Sequence, residues 1–426
     1  MKNRTLQIVL IVLITFLAGY FVGTLKINLD WRNYKPVLNV ASKEPPAGVI
    51  NVDFNPFWSV WQSLLTNYYD KSKLDQQKML DGAINGMVAS IGDPFTLYLP
   101  PVANSDFKQG LAGEFSGIGA ELGIKDKNII VIAPLDGSPA EKDGIKAGDI
   151  VLKVDGQSIT GWDLAKVVSQ IRGPKGTAVT LTVQHANNKQ VDITIVRDVI
   201  TVKSVAMNIQ SAKCSNTGCT NVSKDSCSGD SCTEFAYIRL SQFGDNTNQE
   251  WTSLVKGISD KINQDKNIKG VVLDLRNNPG GYLTDAQFIA SEFLLMGTKV
   301  VGEDPCSQLD CSLTVQRQGA LTDPKIKVVV LINKGSASAS EIVSGALKDN
   351  NRAMLVGETS YGKGTVQQAQ DLGDGAGLHV TIAKWLTPNG TWVNGKGLTP
   401  DVSVSLDPKN PSEDTQLEKA VFELLK

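Results

Sequence analysis

Histidine is almost absent. His185 and His379 are the only two in 426 residues, which leaves little room for a His-rich metal site or for a mechanism that needs several imidazoles. A charge surplus is missing too: 42 Lys and Arg stand against 44 Asp and Glu, a net charge of −2. No basic excess exists to neutralise a phosphate backbone, so nucleic acid is not an expected partner. The Gly-x-Ser-x-Gly elbow does not occur either. What is there is a chain long enough for two or three domains with an ample core. It is 41% apolar, with 39 glycines and 17 prolines, a balance that suits an ordinary globular fold with many tight turns.

The uncharged run Thr5 to Leu25 reaches about 32 Å at ~1.5 Å per residue, enough for one membrane-spanning helix. The alternative is a removed signal peptide, but the run exceeds the usual apolar core of one, and Leu17-Ala18-Gly19-Tyr20 is a poor cleavage site. Basic residues on both flanks nearly cancel the positive-inside bias, so the cysteines decide orientation. They fall in three pairs, Cys214/Cys219, Cys227/Cys232 and Cys306/Cys311, each in a polar segment that reads as an exposed loop. Even, loop-borne cysteines point to disulfides. Zinc is the rival, though zinc knuckles favour two residues between thiolates and no histidine lies nearby. The body is therefore expected outside the cytoplasm, on the periplasmic or extracellular face of a membrane.

Residues 26–49 read as a linker and 50–109 as a helical region. Asn55-Pro56 offers a cap and an N1 proline, and Phe57, Trp58, Trp61, Leu64, Leu65 and Tyr68 recur at helical spacing as a packed face. A second helix is expected around Lys78 to Ser90, stopped by Gly92-Asp93-Pro94. From 110 to 200 short β-branched runs alternate with turns, at Ile129–Ile132, Ile150–Val154, Val179–Val183 and Val191–Val196. From 201 to 408 apolar strands alternate with helices, as in Val271–Leu275 then Asp285–Leu295, and Val328–Ile332 then Glu341–Leu347. This is an α/β pattern, interrupted by cysteine-bearing loops near 212–233 and 304–313. A closing helix over 409–426 is expected to start at Asn410-Pro411-Ser412-Glu413.

Chemistry concentrates where the strand Val328–Ile332 turns through Asn333-Lys334-Gly335-Ser336-Ala337-Ser338-Ala339-Ser340-Glu341 into a helix. A serine there faces unpaired N–H groups and the positive end of the helix dipole, which suits a nucleophile and the oxyanion it generates. Ser338-x-x-Glu341 also spells a capping box, a purely structural reading. A base is needed, and both histidines lie in strand-like runs. Lys363, in Gly362-Lys363-Gly364-Thr365-Val366-Gln367, is the better candidate. Its amine must fall from ~10.4 to about 7–8, a shift of ~4 kcal/mol that burial can supply. Gly357-x-x-x-x-Gly362-Lys363 is also close to a phosphate loop, but Gly364 replaces the hydroxyl that holds Mg²⁺ and a strand follows in place of a helix. Ser253-x-x-Lys256 lacks a Lys-Thr-Gly partner and reads as a solvated helix face.

Two resemblances organise these observations. Phe115-Ser116-Gly117-Ile118-Gly119, with Ser138-Pro139-Ala140-Glu141 and Gly144-Ile145-Lys146-Ala147-Gly148-Asp149, resembles a protease-associated PDZ domain. That resemblance implies that Phe115 to Gly119 hold a peptide's terminal carboxylate while the peptide adds an antiparallel strand. Asp274-Leu275-Arg276-Asn277-Asn278-Pro279-Gly280-Gly281, Asn333 to Glu341 and Gly357 to Gln367, with Gly92-Asp93-Pro94-Phe95-Thr96 and Gly397-Leu398-Thr399-Pro400-Asp401, resemble the carboxyl-terminal processing proteases of family S41. The resemblance implies a crotonase-like αβ-spiral core with the PDZ domain inserted, behind N-terminal helices and one N-terminal transmembrane helix. It implies Ser338 as nucleophile, Lys363 as general base twenty-five positions on, and Gln367 orienting the lysine. The N–H groups of Ala339, Gly280 and Gly281 are implied as the oxyanion site. Arg172 matches a position that couples the PDZ domain to the core. No cofactor or metal is implied. The partners implied are protein substrates with free, apolar C-termini, with a homodimer also expected. The different-class alternative is an inactive PDZ adaptor that binds exposed C-termini without cutting; an NTPase is more distant.

Overall fold

In the computed structural model, which describes residues 13, 15–16, 27–32, 35–40, 52–125, 128–135, 137–162, 164–185, 187–223, 227, 229, 232–305, 311–406 and 413–426, the run ending at Ile332 is the strand Lys327–Ile332 inside a seven-stranded sheet. In spatial order the strands are Cys219–Ser223, Val205–Cys214, Cys232–Leu240, Ile268–Asp274, Lys327–Ile332, Met354–Gly357 and Val402–Ser403. The first three pair antiparallel and the rest in parallel. Successive side chains of a strand point to opposite faces, so a strand covered on both sides is apolar throughout. Val271, Leu273, Val328 and Val330 pack with Trp251, Ile289 and Val343 of the helices Thr247–Gln264, Leu283–Ala290 and Ala339–Asp349. Val272, Val329 and Leu331 pack with Leu417, Val421 and Leu424 of the helix Thr415–Leu424. This layering puts the turn after Ile332 at the carboxyl edge of the parallel strands, where such sheets keep their ligand sites.

A second antiparallel sheet runs Ser312–Thr314, Lys299–Asp304, Ala376–Leu386, Thr365–Gly373, with Leu97–Leu99 added on Ala376–Leu386. The PDZ-like segment forms its own sheet in the order Gln190–Val196, Ala178–Gln184, Ile150–Val154, Asn128–Pro134, Ala120–Lys125. Val131, Val151, Val179, Leu181 and Ile195 fill its core with Val167 and Ile171 of the helix Leu164–Ile171.

The chain divides into two compact units, Met1–Leu80 and Asp81–Lys426. In the first, Ile27–Arg32 and Lys35–Val40 pair as an antiparallel hairpin inside the segment expected as a tether. The alternation Ile27, Leu29, Trp31 against Asn28, Asp30, Arg32 is the period-two signal that the linker reading overlooked. The helix Asn55–Asn67 forms behind Pro56, but none of its residues is buried and Trp58 is 60% exposed. Among the described residues, the expected packed face therefore has no buried side chain. The run Thr5 to Leu25 lies outside the described residues except for Leu13, Thr15 and Phe16, and among the described residues no helix is long and apolar enough to cross a membrane.

Cys214–Cys219 and Cys227–Cys232 are disulfides, and Cys311 is also disulfide-bonded, while Cys306 lies outside the described residues. The first pair does not sit in an exposed loop as expected. It closes the hairpin of Val205–Cys214 and Cys219–Ser223, with Cys219 buried in the core under the helix Thr415–Leu424. That helix also starts later than expected: its cap is Asp414, which accepts from the Leu417 N–H, and 410–412 lie outside the described residues.

Arg276 holds that cap in place. Its guanidinium donates to both Asp414 oxygens at 2.7 and 2.8 Å and to Asp274 at 2.6–3.1 Å. Burial alone would raise the pKa of Asp274, but Arg276 and Arg239 outweigh it and hold this carboxyl below its usual range. Its pairing therefore adds stability above the ordinary carboxylate range, lost as pH falls through the lowered value. Arg276→Ala leaves Asp274 buried and loosens the last helix, so we expect a loss of about 3–5 kcal/mol in denaturant unfolding. A loss below about 1 kcal/mol would contradict this account.

Candidate active site

Of the three serines in the turn after Ile332, two are committed to structure. Ser336 Oγ donates to the Leu275 carbonyl at 2.8 Å and accepts from the Asn333 N–H, and Ser340 Oγ donates to the Asn278 carbonyl at 2.9 Å. Both are fully buried. Ser338 alone faces a cleft of ≈ 340 Å³. It sits at the N-cap of the helix Ala339–Asp349 with φ 54° and ψ −114°. A non-glycine residue there costs of order 1–3 kcal/mol and persists only where its surroundings hold it.

Glu341 does the holding. Its buried carboxylate accepts four hydrogen bonds: from Ser338 N–H at 2.8 Å and Lys363 N–H at 2.9 Å on one oxygen, and from Ser360 Oγ at 2.5 Å and Gly362 N–H at 2.7 Å on the other. The capping-box reading of Glu341 is half of its part; the other half reaches across to the segment that carries Lys363.

Lys363 lines the same cleft as Ser338. Trp385 Nε1 donates to its carbonyl at 2.8 Å, and its Nζ lies 5.2 Å from the centroid of the Phe95 ring. Burial pushes the amine below the usual lysine value, against a weaker upward pull from Asp93. Asp93 accepts from Phe95 N–H at 3.0 Å and Thr96 Oγ1 at 2.6 Å. The Gly92-Asp93-Pro94 stop signal is thus also the brace that seats Phe95 over the lysine.

Gln367 lines the cleft, but its amide nitrogen donates to Thr365 Oγ1 at 2.6 Å and Thr381 Oγ1 at 3.2 Å. These two hydroxyls fix the side-chain amide within the cleft that Lys363 also lines. Gly280 departs from expectation. Its N–H donates to Asn278 Oδ1 at 2.9 Å and so is already engaged. Its φ is 97°, and a Cβ there would meet the Ala337 carbonyl at 2.7 Å and Ser338 Cβ at 2.8 Å, so glycine is required for close approach. Gly281, with φ 143°, shares the cleft with Ser338, and Ala339 is the first residue of the helix.

His379, set aside as a strand residue, also lines the cleft beside Leu97, Leu111 and Phe107, whose ring it meets edge-on at 4.5 Å. Burial first, then Lys363 and Lys108, lower its pKa, so it stands there as a neutral ring. Its pairing with Ala369 and Leu97 across the sheet was not visible in local spacing.

The PDZ-like residues gather separately. Phe115, Ser116 and Gly117 lie in the strand Glu114–Gly117, paired with Asp198–Thr201, and Ile118 is buried in the small core. Gly119, φ 75°, packs against Ser138, where a Cβ would clash. The next strand, Ala120–Lys125, is an open edge of its sheet, free to accept another strand. Arg172 follows the helix Leu164–Ile171 and places its guanidinium 5.1 Å from the Phe115 ring centroid.

Comparison with known proteins agrees with this arrangement. The profile of Peptidase family S41 matches residues 234–404, that of the PDZ domain residues 106–184, and that of the activating protease CtpB N-terminal domain residues 28–101. A carboxy-terminal-processing protease of Bartonella bacilliformis is 39% identical over 349 residues, covering 82% of this chain and 74% of that protein. The carboxy-terminal processing protease CtpA of Bacillus subtilis is 34% identical over 353 residues, covering 83% and 69%. Among solved structures, a photosystem II D1 C-terminal processing protease matches with TM-score 0.50 and 28% identity over 82% of this chain and 92% of that one.

Glu341→Gln keeps the side chain's shape but turns one oxygen into a donor facing two donors. The expected loss is about 2–4 kcal/mol of stability, and a fall of ~100-fold in the rate at which a serine-directed phosphonylating reagent labels Ser338, from misplacement of its backbone. Unchanged labelling would contradict the clamp.

Proposed function

This chain belongs to peptidase family S41, among the carboxy-terminal processing serine proteases, and we propose that Ser338 is its nucleophile and Lys363 its general base. The observation that carries this reading is the shared cleft: one serine facing it, one lysine with a lowered pKa, and one carboxylate hydrogen-bonded to the backbone of both. The neutral amine of Lys363 takes the Ser338 proton as Oγ attacks the scissile carbonyl carbon. The oxyanion then meets the N–H groups of Ala339 and Gly281. As the C–N bond breaks, the Lys363 ammonium returns its proton to the leaving amine, and water deacylates the serine by the same route in reverse. The apolar wall of Phe95, Leu97, Phe107 and Leu111 keeps the amine poorly solvated, which is what a lysine base requires. An intact cleft of this kind weighs against the non-cutting adaptor.

Substrate capture is assigned to the PDZ domain, supported by its open edge strand beside Phe115 to Gly119. A protein's free C-terminus with apolar last residues would add to Ala120–Lys125 and set its carboxylate at that loop, with Arg172 close by. The crotonase-like spiral belongs to the same reading of the core, and the mixed seven-stranded sheet supports it. The disulfides support a body outside the cytoplasm, held by the run Thr5 to Leu25 as a membrane anchor. The unburied aromatic face of Asn55–Asn67 supports a homodimer.

Incubation of the protein with an unstructured substrate ending in apolar residues tests the dyad. Ser338→Ala and Lys363→Ala should each cut cleavage by at least ~10³-fold while melting within a few degrees of wild type; undiminished cleavage by either refutes it. Amidating the substrate's C-terminus should weaken capture by about 10-fold or more, the worth of a charge-assisted hydrogen bond. Equal capture of acid and amide would remove the PDZ loop from that role.

A further inference from the structure

Among the described residues, two buried oxygens near the Gly280–Gly281 turn have no donor. One is Oδ2 of Asp285, a residue 5% exposed in the first turn of the helix Leu283–Ala290; the other is Oδ1 of Asn248, in the first turn of Thr247–Gln264. The same two side chains are already joined, because Asn248 Nδ2 donates to Asp285 Oδ1 at 2.8 Å. Two acceptors cannot pair with each other, and each left buried is costly. A single proton on the carboxyl satisfies both: the acid O–H donates to the amide oxygen while the amide N–H donates to the acid carbonyl.

The place of this pair gives it a task. The two helices begin at either end of one short bridge, in which Phe243 N–H donates to the Gly280 carbonyl and Tyr282 N–H to the Phe243 carbonyl, with Tyr282 Oη bonded to Asp245 at 2.9 Å. Gly280 and Gly281 lie inside that bridge and pack on Ser338 and Phe243. We propose that Asp285 and Asn248 share one proton as a closed acid–amide pair, and that this pair positions the Gly280–Gly281 turn against Ser338. Its bearing on turnover rests on the proposed dyad; its existence does not.

The surroundings favour the acid. Burial pushes the Asp285 carboxyl up to about 6, Asn248 pulls it down, and the nearby Asp245 carboxylate adds to the rise. The Tyr282 phenol, itself raised to about 12 by burial and these two carboxyls, brings no positive charge. Helix Ala339–Asp349 packs on this helix with Ile342 and Val343, and strand Lys299–Asp304 with Val300 and Val301. The carboxylates on the elements around it are already engaged: Glu292 by Arg317 and Trp251, Glu250 by the Val205 N–H, and Glu341 by its four donors. Because the folded-state value lies above the ordinary 3.8, the folded protein binds the proton more tightly, and stability falls as pH rises from about 4 through 6. A rise of about two pH units corresponds to roughly a hundredfold change in the folding equilibrium.

Asp285→Asn in the full chain is the test, since an asparagine there donates to Asn248 and accepts from it at every pH. We expect the variant and wild type to melt alike at pH 4.5 and the variant to melt several degrees higher at pH 7.5. We also expect the ratio of variant to wild-type kcat/KM to rise between pH 5.5 and 7, because the turn loosens over that range in the wild type alone. Parallel melting curves at both pH values overturn the shared proton, whatever the cleavage assay shows. Parallel pH–rate profiles with diverging melting curves overturn only the positioning of the turn. Should Asp285→Asn fail to fold, Asn248→Asp gives two carboxyls for one proton and must steepen the loss of Tm across the same range; an unchanged slope again overturns the pair.

Discussion

Everything at the cleft depends on one carboxylate with four donors. Glu341 lies one helical turn after Ser338, so a single side chain can reach the Ser338 backbone and still have its second oxygen free. That oxygen, and the remaining capacity of the first, take Ser360, Gly362 and Lys363. A strained serine and a distant lysine are thereby fixed to one rigid group. Each donor shortens the conformational freedom of the others, which is how a positive-φ serine is kept in place without a glycine.

The same economy runs outward. Arg276 ties the motif that carries Gly280 and Gly281 to the cap of the last helix, and that helix covers the second face of the sheet that delivers Ser338. Asp93 seats Phe95 on the lysine, and burial lowers the amine's pKa. A polar frame thus supports an apolar pocket, and burial in the pocket lowers the lysine's pKa. The PDZ-like sheet stands apart from this frame with its own core, offering an unpaired strand edge.

Much of this was legible in the sequence where chemistry is local. The apolar strands, the turn after Ile332, the glycines beside it and the lysine between glycines all carry short-range signals: periodicity, sharp turns, close approach. What was not legible depends on partners far along the chain. The Gly280 N–H is taken by Asn278, the Gln367 amide nitrogen is held by Thr365 and Thr381, and Asp414, which caps the last helix, is paired with Arg276. His379 looked like any strand residue until its neighbours Ala369 and Leu97 brought it to the cleft. The helix Asn55–Asn67 has the spacing of a packed face, yet none of its residues is buried among the described residues, since amphipathic spacing says that a face can be covered, not by what.

The central claim is that Lys363 works as an uncharged amine. Its titration can be followed by the pH dependence of its reaction with an amine-directed acylating reagent, set beside the pH dependence of kcat/KM on one substrate. The account predicts that both rise with pH through a common midpoint, below the ordinary lysine value of ~10.4. A Lys363 that titrates at that ordinary value while kcat/KM is already at its plateau would contradict it.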